Sequence, residues 1–378
     1  MFAAFRRAVA RSPHRGSRRL LSVALLGTLA ATGLSACGPD TPASEVVVDG
    51  LEAPTSFTID PNGIDLWYTE RFSGEIRRYH QDFEANTLVD TIPNVATAGR
   101  EQGTFGIAVH PNYPNTRLIF VIATVTVSGA AREQIFRISI GTNGVATGRT
   151  VIFDIPAATQ HVGGRLQFGP DGMLYAAIGD HLVHANAQNL SNAVKPGKIH
   201  RINTAGGVPA GNPIAGNTLW AYGVRNSFGF NFDPANANLW FTDNGPTCND
   251  EVNLLTKGAN HGWGPNGESC EPGIWETTNE DGPTPRVRPK VLYNPTTAPT
   301  GAAFCSNCGL RSEDNGTLLV GNSNNGHIRR LILNSGRNAV TREQLLIDHP
   351  GGVFAVESRP NGPVYFSDAT SIRKLVLV

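Results

Sequence analysis

No stretch of this 378-residue sequence keeps a 3.6-residue apolar period over several turns, so a helical fold is not expected. Charge is scarce as well, at 16% of residues. A Gly-x-Ser-x-Gly elbow and a glycine-rich phosphate loop are both missing, which speaks against an α/β-type serine hydrolase and against a P-loop enzyme. No acidic segment has the spacing of an EF-hand loop. A basic excess is missing too. Of the 31 basic residues, six arginines (Arg6, Arg7, Arg11, Arg15, Arg18 and Arg19) fall in the first 36 residues, where there is no acid. The rest of the chain carries 25 basic against 31 acidic residues, a net of −6, which does not suit a nucleic-acid partner.

What is abundant is turn material, with 42 Gly and 25 Pro and no collagen period. Large all-β folds reach this length as one domain. Residues 1–36 read as an export signal: arginines, then an apolar run from Leu20 to Leu34, then small residues. The run is shorter than the ~20 residues that span a bilayer. It ends in LSAC at 34–37, which resembles a bacterial lipobox with Cys37 as the lipidated residue. Arg18-Arg19 match a twin-arginine signal only loosely. The expected layout is signal peptide 1–36, lipidated Cys37 and tether to 44, and one domain over 45–378. The protein is then exported and tied to a membrane by lipid alone. Cys248, Cys270, Cys305 and Cys308 remain, an even number in an exported chain, which favours disulfides. Proximity pairs Cys248 with Cys270 and Cys305 with Cys308. The second pair could also be redox-active or half of a zinc site.

A turn followed by an apolar strand, then a second strand with Arg beside Ile or Leu, recurs six times. The turns begin at DPNG (60), HPNYPN (110), GPDG (169), DPAN (233), EDNG (313) and RPNG (359). Within the first copy Leu66 and Tyr68 alternate with Trp67 and Thr69. A repeat of about 40–50 residues built of four strands marks a propeller. We therefore expect an all-β, six-bladed β-propeller of four-stranded antiparallel sheets, in preference to a pair of sandwiches.

Several segments could carry chemistry. QHVGG at 160–164 sets His161 before a glycine pair, where backbone can come close to a flat ligand or another chain. GVRNSFG at 223–229 holds Arg225 and Asn226, a guanidinium fork and an amide suited to carboxylate or carbonyl groups. Residues 243–264 hold Asp243, Asn244, Asp250 and Glu251 among glycines, a weak hard-cation pattern that could equally be turn-making. Glu101 and Gln102 precede an apolar strand. His110 reads as a turn residue, and His181 with His184 could bind a metal or lie in a surface loop.

Taken together, QHVGGRLQFGPDGMLYAAIGD, WAYGVRNSFGFNFDP, NGPTCNDEVNLLTKGANHGW and YNPTTAPTG are similar to the soluble quinoprotein glucose and aldose sugar dehydrogenases, the glucose/sorbosone dehydrogenase family. The resemblance implies pyrroloquinoline quinone (PQQ) and Ca²⁺ as cofactors and a small sugar as substrate, with the electron acceptor unidentified. It implies His161 as general base, Arg225, Asn226, Asp250 and Thr296 on the cofactor, and Glu101 and Gln160 in the substrate pocket. The carbonyls of Gly245 and Pro246 would hold the cofactor calcium. Glu251 and the carbonyl of His261 would hold a second, structural calcium.

The chain also departs from that pattern. Gln160 replaces an acid common in glucose-oxidising members, and Phe228 replaces a pocket amide. The basic positions that hold the PQQ carboxylates fall on Asn324, Gly352 and Phe354, none of them charged. Arg329, Arg330 or Lys195 could compensate. The alternative is a non-catalytic propeller lipoprotein that binds a ligand or protein. A lactonase-like metal hydrolase would have only Asp243 and Asn244 in support.

Overall fold

The computed structural model describes residues 40–265 and 283–378. The expected signal peptide, Cys37 and Cys270 lie outside these residues, so neither the expected lipidation nor the expected Cys248–Cys270 pairing is described. The unit Pro42–Val378 is built of six four-stranded antiparallel sheets, as the sequence leads one to expect.

Blade 1 comprises β2 (Ser56–Ile59), β3 (Asp65–Thr69), β4 (Glu75–His80) and β5 (Ala85–Thr91). Blade 2 comprises β6 (Thr104–Val109), β7 (Leu118–Val127), β8 (Ala130–Ile140) and β9 (Ala146–Pro156). Blade 3 comprises β10 (Leu166–Phe168), β11 (Leu174–Ile178), β12 (Lys198–Ile202) and β13 (Leu219–Tyr222). Blade 4 comprises β14 (Phe230–Phe232), β15 (Leu239–Asp243), β16 (Asp250–Leu254) and β17 (Val291–Tyr293). Blade 5 comprises β18 (Pro299–Phe304), β19 (Leu318–Asn322), β20 (His327–Leu333) and β21 (Val340–Asp348). Blade 6 comprises β22 (Ala355–Ser358), β23 (Val364–Ser367) and β24 (Ile372–Leu377), and its outer strand is β1 (Pro42–Val48), from the other end of the chain. Pro42 lies opposite Leu377 and Val48 opposite Ile372. The strand therefore takes in Pro42, Ala43 and Ser44, which the sequence layout put in the tether.

The six recurring turns all fall between the first and second strands of a blade. They define one face of the ring, the turn face. The segments leading into each first strand, and the loops between second and third strands, gather on the opposite face. The cores lie between blades. Strand alternation sends successive side chains to different neighbours. Leu66 and Tyr68 pack toward blade 6, and Trp67 between them packs toward blade 2. Trp240 and Phe241 likewise face blades 5 and 3. The second strands of blades 1, 3, 4 and 5 are buried on both sides, which is why they read as largely apolar runs. Burying each large apolar side chain contributes about 1.5–3 kcal/mol.

Arg165, just ahead of β10, ties the ring together at its axis. Its Nε donates to the Phe228 carbonyl at 2.9 Å, Nη1 to Ser56 Oγ at 3.0 Å and Nη2 to the Thr300 carbonyl at 3.1 Å. Nη1 also lies 3.7 Å from Glu357 Oε1. Burial lifts the Glu357 carboxyl to about 7, against the pull of Arg165 and Arg359. A raised carboxyl favours the folded state below the unfolded value, and that contribution is lost as pH climbs through 7. Between pH 6 and 8 wild type should lose about 1 kcal/mol, or about 2 °C in melting temperature, that Glu357→Gln does not lose. Thermal melts of both proteins across that range check it.

Candidate active site

His161 sits on the face opposite the turns, in the segment leading to β10. Its φ is +56°, unusual for a residue with a Cβ. Surrounding backbone enforces this. A Cβ on Gly179, just after β11, would stand 2.2 Å from the His161 carbonyl oxygen and 3.0 Å from Asn226 Oδ1. The glycine pair after the histidine answers the sequence reading in a specific way. A Cβ on Gly163 would stand 2.7 Å from the Ala177 carbonyl oxygen, and one on Gly164 would stand 2.8 Å from Phe105 Cβ. The close approach there is to this chain's own backbone and side chains.

The imidazole has a partner that sequence reasoning missed. His161 Nδ1 is 2.7 Å from Asp180 Oδ1. Asp180 Oδ2 accepts from Trp263 Nε1 at 2.8 Å, and Oδ1 also accepts from the Leu182 N–H at 2.8 Å. Burial pushes the Asp180 carboxyl up, but the bonds from His161, Trp263 and Leu182 outweigh it, and the group ends below its ordinary value. An ionised Asp180 accepts the Nδ1 proton. Nε2 is then the lone-pair nitrogen, with no hydrogen bond to any described residue.

Glu101 and Asn226 lock this arrangement. Glu101 Oε2 accepts from the His161 N–H at 2.7 Å and from Asn226 Nδ2 at 2.9 Å. Asn226 Oδ1 accepts from the Gly163 N–H at 3.2 Å. Glu101, expected in the substrate pocket, is thus a clamp between blade-connecting segments. Gln160 beside it is half-buried.

Arg225 lies over the Trp263 ring, 5.1 Å from its centroid. Its Nη1 donates to the carbonyls of Asn244 at 2.7 Å and Gly245 at 3.0 Å. Its Nε is buried without a partner, an orphan donor at the site. The Arg225 and Asn226 N–H groups donate to Asp243 at 2.8 and 2.6 Å. Asp250 is fully buried and brackets two loops: Oδ1 accepts from the Gly245 N–H, and Oδ2 from those of Thr297 and Ala298. Thr296 next to that bracket is half-buried, and its carbonyl accepts from Asn324 Nδ2 at 3.2 Å.

The structure therefore brings His161, Glu101, Arg225, Asn226, Gly245 and Asp250 into one bonded network. Pro246 follows Gly245 in the same loop. Among the described residues no group of three or more His, Cys, Asp or Glu side chains could hold a metal ion. Calcium would rest on backbone carbonyls such as those of Gly245 and Pro246. Glu251 and His261 are both buried; Glu251 Oε2 accepts from Asn253 Nδ2, and burial pushes the His261 ring down to about 3.

The side chains of the other candidates are committed to other partners. Arg329 pairs with Glu343, Arg330 with Asp314 and Gln344, and Lys195 with Thr218. His181 pairs with Glu133 at 2.6 Å and His184 packs on Trp263, so they do not converge on a metal. His110 accepts from the Asn112 N–H within its turn. Cys305 and Cys308 are bonded to each other.

The sequence matches, over residues 51–376, the family model described as Glucose / Sorbosone dehydrogenase. It is 31% identical over 349 residues to an uncharacterized protein of Synechocystis, covering 84% of this chain and 82% of that protein. It is 27% identical over 248 residues to quinoprotein glucose dehydrogenase B of Acinetobacter calcoaceticus, covering 58% of this chain and 52% of that protein. The PQQ-bound form of an aldose sugar dehydrogenase from Streptomyces coelicolor shares the fold at TM-score 0.75 and 24% identity, covering 90% of this chain and 99% of that one.

Proposed function

The chain belongs to the glucose/sorbosone dehydrogenase family, and on that premise we propose that it oxidises an aldose or related sugar at its anomeric hydroxyl with PQQ and Ca²⁺. The observation that carries this is the His161 ring, with Nδ1 committed to Asp180 and Nε2 left open. The residues present fit the group: Arg225 offers an orphaned buried donor beside the Asn244 and Gly245 carbonyls.

Nε2 takes the proton of the anomeric hydroxyl as the adjacent C–H bond breaks. Asp180 fixes the tautomer and stabilises the imidazolium that forms. Trp263 and the Leu182 N–H keep Asp180 ionised and in place. Glu101 and Asn226 hold the segment that carries the base. Arg225 and Asn226 would face the cofactor, and the Gly245 and Pro246 carbonyls would hold its calcium. PQQ, once bound, supplies the two-electron acceptor and Ca²⁺ the Lewis acid that polarises it. Export as a lipoprotein, read from residues 1–37, belongs to the same proposal.

The purified protein, incubated with PQQ and Ca²⁺ and given an artificial electron acceptor, should retain quinone absorbance through gel filtration and turn over at least one sugar of an aldose panel. A folded protein that does neither sinks the proposal. It would favour the second reading, a binding propeller, which the uncharged Asn324, Gly352 and Phe354 and the committed Arg329, Arg330 and Lys195 support.

A further inference from the structure

The axis opens at its other end into a cavity of about 280 Å³ on the turn face. Thr58, Ala108, Gln167, Asn231 and Glu357, from the first strands of five blades, all line it. Gln167, Asn231 and Glu357 make no side-chain hydrogen bond to any described residue, and Gln167 Oε1 is buried with no partner. Asn231 is 6% exposed. Buried polar side chains normally find partners, and here the carboxamides of Gln167 and Asn231, from separate blades, face one space without one, beside Glu357, which Arg165 approaches at 3.7 Å.

The chemistry of the wall narrows the occupant. A carboxamide offers a donor and an acceptor side by side, which matches adjacent hydroxyls. Arg165, 3.7 Å from Glu357, and Arg359 in the wall disfavour a free cation, and Glu357 disfavours an anion. Phe168, Phe232 and Phe304, with proline rings beside them, supply an apolar platform. We propose that this turn-face cavity is a second ligand site, which takes a neutral ring polyol of monosaccharide size through Gln167, Asn231 and Glu357. It lies across Arg165 from the His161 site and shares no residue with it.

Methyl α-D-glucopyranoside, whose anomeric oxygen is capped, is titrated calorimetrically into the full chain. Saturable binding is expected, weakened at least tenfold in Asn231→Leu and unchanged in His161→Asn. Gln167→Leu, at a half-buried strand position, gives the same reading should Asn231→Leu not fold. No saturable binding by wild type overturns the proposal, as does binding that survives both turn-face changes or is lost in His161→Asn. Because the readout is heat of binding, failure here is distinct from failure of the proposed oxidation.

Discussion

Replacing His161 with Asn should lower kcat for sugar oxidation by about 10²–10⁴-fold, the usual contribution of a positioned general base. Asn is chosen for the backbone. The residue sits at φ +56°, a conformation asparagine tolerates better than most. The change removes the basic nitrogen and keeps a side chain that can still reach Asp180. Melting temperature should hold within a few degrees, and the quinone should still bind, because Arg225 and the 244–245 carbonyls are untouched. Steady-state kinetics on reconstituted protein check it. An unchanged kcat with wild-type cofactor content would remove His161 from the reaction and leave the network around it structural.

The second large effect is on stability. Arg165→Leu should destabilise the propeller by about 3–5 kcal/mol, as expected when one partner of a buried charged network is removed. The guanidinium donates to Phe228, Ser56 and Thr300, which belong to blades 4, 1 and 5 or the segments leading to them. Leucine leaves those acceptors unmet and Glu357 without its cation. Changing Glu357 to Gln in the same chain should recover part of the loss, since a neutral amide costs less to bury than a carboxylate. Denaturant unfolding of the single and double variants measures both. Equal loss in the two would mean the backbone acceptors, not the ion pair, carry the effect.

The parts legible in the sequence were those with a local signature. The six turns combine Pro, Asn, Asp and Gly at fixed offsets, and each marks the hairpin between the first two strands of a blade. The alternation of Leu66 and Tyr68 with Trp67 and Thr69 announced a strand; that both its faces are packed is seen only in the structure. Outer strands such as β5 and β9 are largely exposed and carry no such pattern. The closing strand could not be read at all, because its partner lies at the far end of the chain. Resemblance placed His161, Arg225 and Asn226 together. It gave no hint of Asp180, which ends a strand hairpin 19 residues on and meets the imidazole only in the folded ring. Trp263 escaped notice for the same reason, lying 83 residues from the carboxylate it holds. The bonds of Glu101 to a main-chain N–H and to an amide were not legible either, because residue type alone does not announce them.

The pairing of β1 with β24 also sets an order of assembly. During synthesis β1 is made before the other strands of the ring, and its partner, Ile372–Leu377, after all of them. Until then β1 offers an unpaired edge that another chain could capture. Five blades can form as they emerge, but the ring cannot shut before the final strand is available. A chain cut before Ile372 is therefore a nearly whole propeller with both edges of its seam exposed, and that product is the one most exposed to misassembly.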